Sequence, residues 1–347
     1  MIAHSKPWLT EDDIKAVEYV LRGGMIDRGS QTSRFEKEIA NYVGAKFSLA
    51  QGSGTAALIL ALKALGIKKG DGVVLPTYSC RNVLEAVLSV DAKPQICDVN
   101  DYGVITEETV ADVADGRSRA IIAVHIFGNQ CDIPSLRRFN LPIVEDACQA
   151  FGLLSPDMMR AGSMGDVGVF SFHATKCLTT GEGGMVITNQ DKLAEALTSF
   201  ALGGDPPSGR SVSQMSDLQA ALGLSQLKRF SKIVERRKEL SRRFMLAACS
   251  CGLKVGISES SNMLFRFTLR GRFDFEAAVD SMEKRGISIR RGVDELSHRL
   301  IGLSDGGFPC AKYLIETTIS IPFYPALTEE EVELVEAAIS RMPCHLK

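Results

Sequence analysis

The chain has 347 residues, 45% of them hydrophobic, enough for a large core and more than one domain. Its 40 basic and 42 acidic residues leave a net charge of −2, which exerts no general pull towards nucleic acid or an anionic membrane. Nine cysteines lack C-x-x-C spacing, so neither a disulfide framework nor a metal site is expected; with no membrane-length apolar run and no secretion-signal order, a cytoplasmic chain is expected.

Thr10 reads as a helix N-cap with Asp13 in the third helical position, and this helix runs to about Arg22 before Gly23 and Gly24. A second helix covers Thr32 to Tyr42. Short apolar runs then appear at Phe47–Ala50, Val73–Leu75, Gln95–Cys97, Ala120–Val124 and Ile143–Val144. Helical stretches separate them at Thr55–Leu65, Asn82–Leu88, Glu107–Ala114 and Ile133–Phe139. Such alternation, with nearly continuous apolar strands, predicts an α/β fold whose mostly parallel sheet is covered by helices on both faces. Two more strands are predicted at Val167–Phe172 and Met185–Thr188, flanking a glycine-rich turn at Gly181–Gly184.

Gly203–Gly209 reads as a loop, and Ser216 to about Leu246 as one long helix without proline. Beyond Gly252, strands at Met263–Leu269, Ile287–Arg290 and Thr318–Ile321 and helices at Phe273–Arg285 and Thr328–Met342 describe a smaller α+β domain.

Four local signals could carry chemistry. Gly52-Ser53-Gly54-Thr55 joins a strand to a helix, where small residues and free N–H groups suit a phosphate; an ordinary helix cap needs the same residues. Glu145-Asp146 ends a strand, and an Asp at the carboxyl end of a parallel strand can face a cationic ring nitrogen or simply cap a turn. Gln149 follows it by three residues. Ser171-Phe172-His173-Ala174-Thr175-Lys176 leaves another strand. Most lysines are solvated, but one held in a folded core can lose its proton and attack an aldehyde. Gly181-Glu182-Gly183-Gly184 turns the chain just after it. None decides alone, yet a phosphate cradle, an acid for a pyridinium and an amine for an aldehyde are together what pyridoxal 5′-phosphate requires.

The order G-S-G-T-A-A-L, E-D-A-C-Q-A, S-F-H-A-T-K and G-E-G-G resembles the DegT-like sugar aminotransferases, fold-type I enzymes acting on nucleotide-linked sugars. Gly70-Asp71, Val124-His125, Gln219-Ala220-Ala221 and Ile321-Pro322 with Tyr324-Pro325 extend the likeness over nearly the whole chain. It implies a large domain over residues 1–230, built on a seven-stranded sheet, and a small domain over 231–347. It implies Lys176 as the Schiff-base lysine, Asp146 as partner of the pyridine nitrogen and Gln149 as partner of the ring hydroxyl. It also implies Ser53, Gly54, Thr55 and Ser171 around the phosphate, His173 lining the site, glutamate as amino donor, a nucleotide-linked keto-sugar as acceptor, and a homodimer with shared active sites.

Three positions depart from the family pattern. Cys80 stands where an aromatic usually stacks on the cofactor ring, unless Tyr78 compensates. Val212 and Gln214 stand where the family often has an Asn and an Arg, the Asn reaching across the dimer to the phosphate; Arg210, Ser211 or Ser213 is left to make that contact. The chain is also short, with the small domain trimmed. Two rivals remain: a sugar dehydratase on the same fold, whose lysine is typically replaced by histidine, and a non-catalytic regulator, which would have eroded the cofactor set.

Overall fold

Thr10 begins the first helix, α1 (Glu11–Gly23), because the Asp13 carboxylate turns back to accept from the Thr10 N–H at 2.9 Å and its hydroxyl at 3.2 Å. The computed structural model describes residues 1–202, 213–258, 261–272 and 274–342. The expected Gly203–Gly209 loop, with Arg210, Ser211 and Val212, lies outside the described residues, as does Phe273.

After α2 (Ser30–Val43) the predicted alternation follows: β1 (Phe47–Gln51), α3 (Gly54–Ala64), β2 (Gly72–Pro76), α4 (Arg81–Ser89), β3 (Lys93–Cys97), α5 (Glu107–Ala111), β4 (Ser118–Val124), α6 (Ile133–Leu136), β5 (Ile143–Asp146), β6 (Val167–Ser171) and β7 (Gly184–Thr188). The strands form a seven-stranded sheet in the order β1-β7-β6-β5-β4-β2-β3. Only β7 runs against its neighbours, pairing antiparallel with both β1 and β6. Successive strand residues point to opposite faces, and each face has its own apolar cluster. Leu49, Val167, Val169 and Val186 meet α3 through Leu58 and Ala61. Ala50, Phe170, Met185 and Ile187 meet Phe35 and Ile39 of α2 on the other side. Helices therefore cover both faces.

A helix not foreseen, α7 (Asp191–Leu202), precedes the undescribed segment. The single long helix expected from Ser216 is instead two, α8 (Asp217–Lys228) and α9 (Phe230–Ser250), broken at Arg229 (φ −110°, ψ 14°). The cause is tertiary. The Arg229 guanidinium reaches the Asp13 carboxylate at 2.6 Å, bonds the Trp8 carbonyl and lies over the Trp8 ring. No local residue signals the break.

The rest contains β8 (Lys254–Val255), β9 (Phe267–Arg270), α10 (Phe275–Glu283), β10 (Arg290–Arg291), α11 (Ser297–Leu300), α12 (Pro309–Thr317), β11 (Thr318–Ile321) and α13 (Glu329–Ser340). A four-stranded antiparallel sheet, β10-β11-β9-β8, packs with α9 and α13 around Phe244, Phe267, Ile321 and Val335. Two predicted strands are shorter than expected, each because its backbone pairs elsewhere. Met263–Arg266 is diverted to the loop after β4, where the Phe265 N–H donates to the Phe127 carbonyl at 3.0 Å. Ile287 bridges to Ile2, so the N-terminal residues take the place of a sheet neighbour.

Candidate active site

The carboxyl ends of β1, β2, β4, β5 and β6 converge, the place where open α/β sheets bind ligands. The two acids that close β5 go separate ways, as the two-residue strand period requires. Glu145, fully buried, accepts from His125 Nε2 at 2.8 Å and from the backbone of Gly162, Met164 and Gly165. Burial raises its carboxyl, but the His125 hydrogen bond and charge and those N–H groups hold it below the usual value. It is a staple for the loop before β6. Asp146, only 4% exposed, accepts from the Cys148 N–H at 3.0 Å. Its carboxylate also takes a hydrogen bond from the Cys148 thiol.

Lys176 follows β6 on a loop closed by its own N–H, which donates to the His173 carbonyl at 2.8 Å. Its Nζ lies 4.8 Å from the centre of the Phe265 ring, and it has no acidic partner among the described residues. A residue overlooked in the sequence, Cys148, links the set. Burial pushes its thiol well above the ordinary cysteine range; the Asp146 carboxylate pushes it further, the Lys176 ammonium pulls it back and Cys80 adds a smaller upward push. Asp146, Lys176 and Cys80 thus act on one sulfur.

The residues expected to form a phosphate cradle cap α3. The Ser53 hydroxyl accepts from the Ala56 N–H at 3.1 Å, starting α3. A Cβ on Gly54 would lie 2.8 Å from Ser171 Cβ and 3.3 Å from Cys148 Sγ, and one on Gly184 would lie 2.2 Å from the Ser53 carbonyl oxygen. Only glycine lets β6, β7 and the start of α3 approach this closely. The Thr55 hydroxyl accepts from Asn82 Nδ2 at 2.7 Å, and the Cys80 thiol donates to Asn82 Oδ1 at 3.2 Å. Asn82, also overlooked, ties the cradle to Cys80.

Gln149 Oε1 accepts from the Phe127 N–H at 3.0 Å, leaving its amide nitrogen without a hydrogen bond among the described residues. Phe127 adopts a left-handed conformation (φ 59°), a strain of about 1–3 kcal/mol held by its contacts to Gln149 and Phe265. His173 is engaged on the site's rim: Nδ1 meets the Thr175 hydroxyl at 2.9 Å and Nε2 lies 3.4 Å from Glu182 of the glycine turn. Tyr78 does not compensate for Cys80. It is 2% exposed and packs edge-on against Phe127, so the segment's only aromatic is spent in the core while Cys80 is exposed. Of the residues that could replace the Asn contact, Ser213 is described, and its carbonyl accepts from the Gly52 N–H of the same chain at 2.8 Å.

The DegT/DnrJ/EryC1/StrS aminotransferase family model matches residues 7–340. The chain belongs to this family. Spore coat polysaccharide biosynthesis protein SpsC of Bacillus subtilis is 28% identical over 97% of this chain and 96% of its own. GDP-perosamine synthase of Vibrio cholerae is 30% identical over 76% of this chain and 75% of its own. The fold is shared with Spr1654 of Streptococcus pneumoniae, titled a sugar aminotransferase in its PLP form: TM-score 0.91, 24% identity, 98% of this chain and 97% of that one. The chain is a pyridoxal-phosphate-dependent sugar aminotransferase of fold type I. Among the described residues no helix is long and apolar enough to cross a membrane, and no cluster of three His, Cys, Asp or Glu could hold a metal ion.

Proposed function

We propose that Lys176 bears the cofactor and that the enzyme transfers an amino group from glutamate to a keto-sugar linked to a nucleoside diphosphate. The observation that carries the site assignment is Asp146: a buried carboxylate whose hydrogen-bond donors among the described residues both belong to Cys148, in one electrostatic neighbourhood with Lys176 and beside the start of α3. Bound pyridoxal phosphate supplies an aldehyde and an electron-accepting ring. Asp146 holds the proton on the ring nitrogen. The Gln149 amide nitrogen donates to the ring hydroxyl. Gly54, Thr55 and Ser171, with Ser53 shaping the turn, receive the phosphate at the positive end of α3. Cys80 lies against the ring and His173 holds the lysine loop. Lys176 Nζ, over an aromatic ring and without an ion pair among the described residues, moves the proton at the substrate carbon.

The nucleotide-linked acceptor is supported by the relative named GDP-perosamine synthase. A homodimer is supported by the bare apolar residues on and after α1: Ile14, Leu21 and Met25 are 59%, 56% and 80% exposed. Free cysteines at every described position fit a reducing cytoplasm. The change in chain character near residue 230 supports a large domain over 1–230 and a small one over 231–347. Lys176 itself argues against dehydration, and the intact Asp146, Gln149 and Ser171 against a regulator.

The test is a panel of nucleotide keto-sugars incubated with glutamate and cofactor, following 2-oxoglutarate. At least one should give stoichiometric 2-oxoglutarate and aminosugar. Turnover with free keto-sugars but none with nucleotide-linked ones would defeat the acceptor assignment.

A further inference from the structure

A cavity of about 350 Å³ opens beside the Lys176 loop, between the N-terminal residues and the small sheet. His4, Ser5, Thr175, Phe265, Arg266 and Arg290 line it, and no acid does. The Phe265 ring joins it to the lysine: Lys176 Nζ is 4.8 Å from the ring centre and the Arg266 guanidinium carbon 5.6 Å from the same centre. Arg266 also lies 5.8 Å from the Phe127 ring centre, so aromatic surface flanks its charged group.

Arg266 is short of partners. Its one hydrogen bond among the described residues runs from Nη1 to the Gly292 carbonyl at 2.9 Å, and it forms no ion pair there. Burial pulls the guanidinium below the ordinary arginine value, Asp294 pushes it back and Arg290 adds to the fall. Asp294 is exposed and outside ion-pair reach. His4 adds no charge at neutral pH. Burial, then Arg266 and Arg290, push its imidazole down to about 3, and Nε2 is joined to the Ser320 hydroxyl at 2.9 Å. The cavity thus presents two guanidiniums, one of them half-buried with a single hydrogen bond among the described residues. A half-buried cation of this kind is compensated by an anion that can accept two parallel hydrogen bonds.

We propose that Arg266 binds a carboxylate of the amino donor and that Arg290 selects a donor with a second carboxylate. This rests on the aminotransferase reading. Every amino-acid donor carries a carboxylate next to the reacting nitrogen, whereas the charge of a nucleotide-linked sugar sits on its diphosphate, removed from the reacting carbon. An anion site sharing a ring with Lys176 therefore suits the donor.

The test is calorimetric titration of the cofactor-loaded protein with glutarate, a dicarboxylate that cannot react, with butyrate, and with inorganic pyrophosphate. Arg266→Met should weaken glutarate about 10- to 150-fold, as expected for hydrogen bonds to a charged group. Arg290→Gln, at an exposed position that the fold does not need, should weaken glutarate about 2- to 5-fold and leave butyrate unchanged. Arg266→Lys should recover part of the loss. Unchanged glutarate affinity in both Arg266→Met and Arg290→Gln would overturn the proposal. So would loss of pyrophosphate binding with glutarate binding intact, which would give the cavity to the sugar's diphosphate. An error in the cofactor assignment would show separately, as a wild-type protein without violet absorbance.

Discussion

At the residue scale, two adjacent acids do different work. Glu145 has four donors around it and is fully used by the fold; among the described residues Asp146 has only the N–H and the thiol of Cys148. Asp146→Ala should therefore leave the protein folded but lower kcat by at least about 100-fold, the scale of a lost proton-holding group, with weaker cofactor binding. Glu145→Ala should instead lower Tm, because it strands His125 and three backbone donors. Thermal unfolding and steady-state kinetics on both variants separate the two roles. Gly54→Ala places a Cβ against Ser171 and Cys148, so about 1–3 kcal/mol of stability and most of the cofactor affinity should be lost together. Equilibrium dialysis of the cofactor and denaturant unfolding would measure both. Asp146, Ser171 and Lys176 were legible because strand ends, small residues and a lysine in fixed order carry a chemical meaning. Cys148, Asn82 and Phe127 were not, because their roles come from contacts with Asp146 or Gly54, with Thr55, and with Gln149.

At the element scale, the strands of the large sheet were legible because most are short, largely apolar runs bounded by turn residues. The break between α8 and α9 was not. Helix propensity continues through Arg229, and only the bonds to Asp13 and Trp8, more than two hundred residues away, bend the chain there. The same holds for Met263–Arg266, which has a strand's composition but spends its backbone on the loop after β4. Arg229→Ala removes one partner of a buried ion pair and should cost about 3–5 kcal/mol, measurable by urea unfolding. The placement of Arg266 beside the lysine depends on this diverted segment, which periodicity could not foresee.

At the scale of the whole molecule, two properties follow. Asp217 is buried at the start of α8 and accepts from the backbone of Gly29, Gln31 and Thr32 and from the Thr32 hydroxyl, joining α8 to α2. Burial raises its carboxyl, but the Thr32 hydroxyl and those N–H groups prevail and hold it below the ordinary 3.8. A depressed folded-state value means its stabilisation is complete above the unfolded value and is lost as pH falls through the folded one. Asp217→Asn should therefore lower stability at neutral pH and weaken the dependence of Tm on pH below about 4. The second property is association. Ile14→Asp with Leu21→Asp should convert the proposed dimer to monomers in sedimentation and reduce turnover, the outcome expected of a dimer that shares its active sites.

The most direct test of the central claim is borohydride reduction of the cofactor-loaded protein, then peptide mass mapping. One pyridoxyl group per chain on the peptide containing Lys176, absent after prior exposure to excess glutamate, is the predicted result. A group fixed on a different lysine, or none on Lys176 in a protein that turns over, would contradict it.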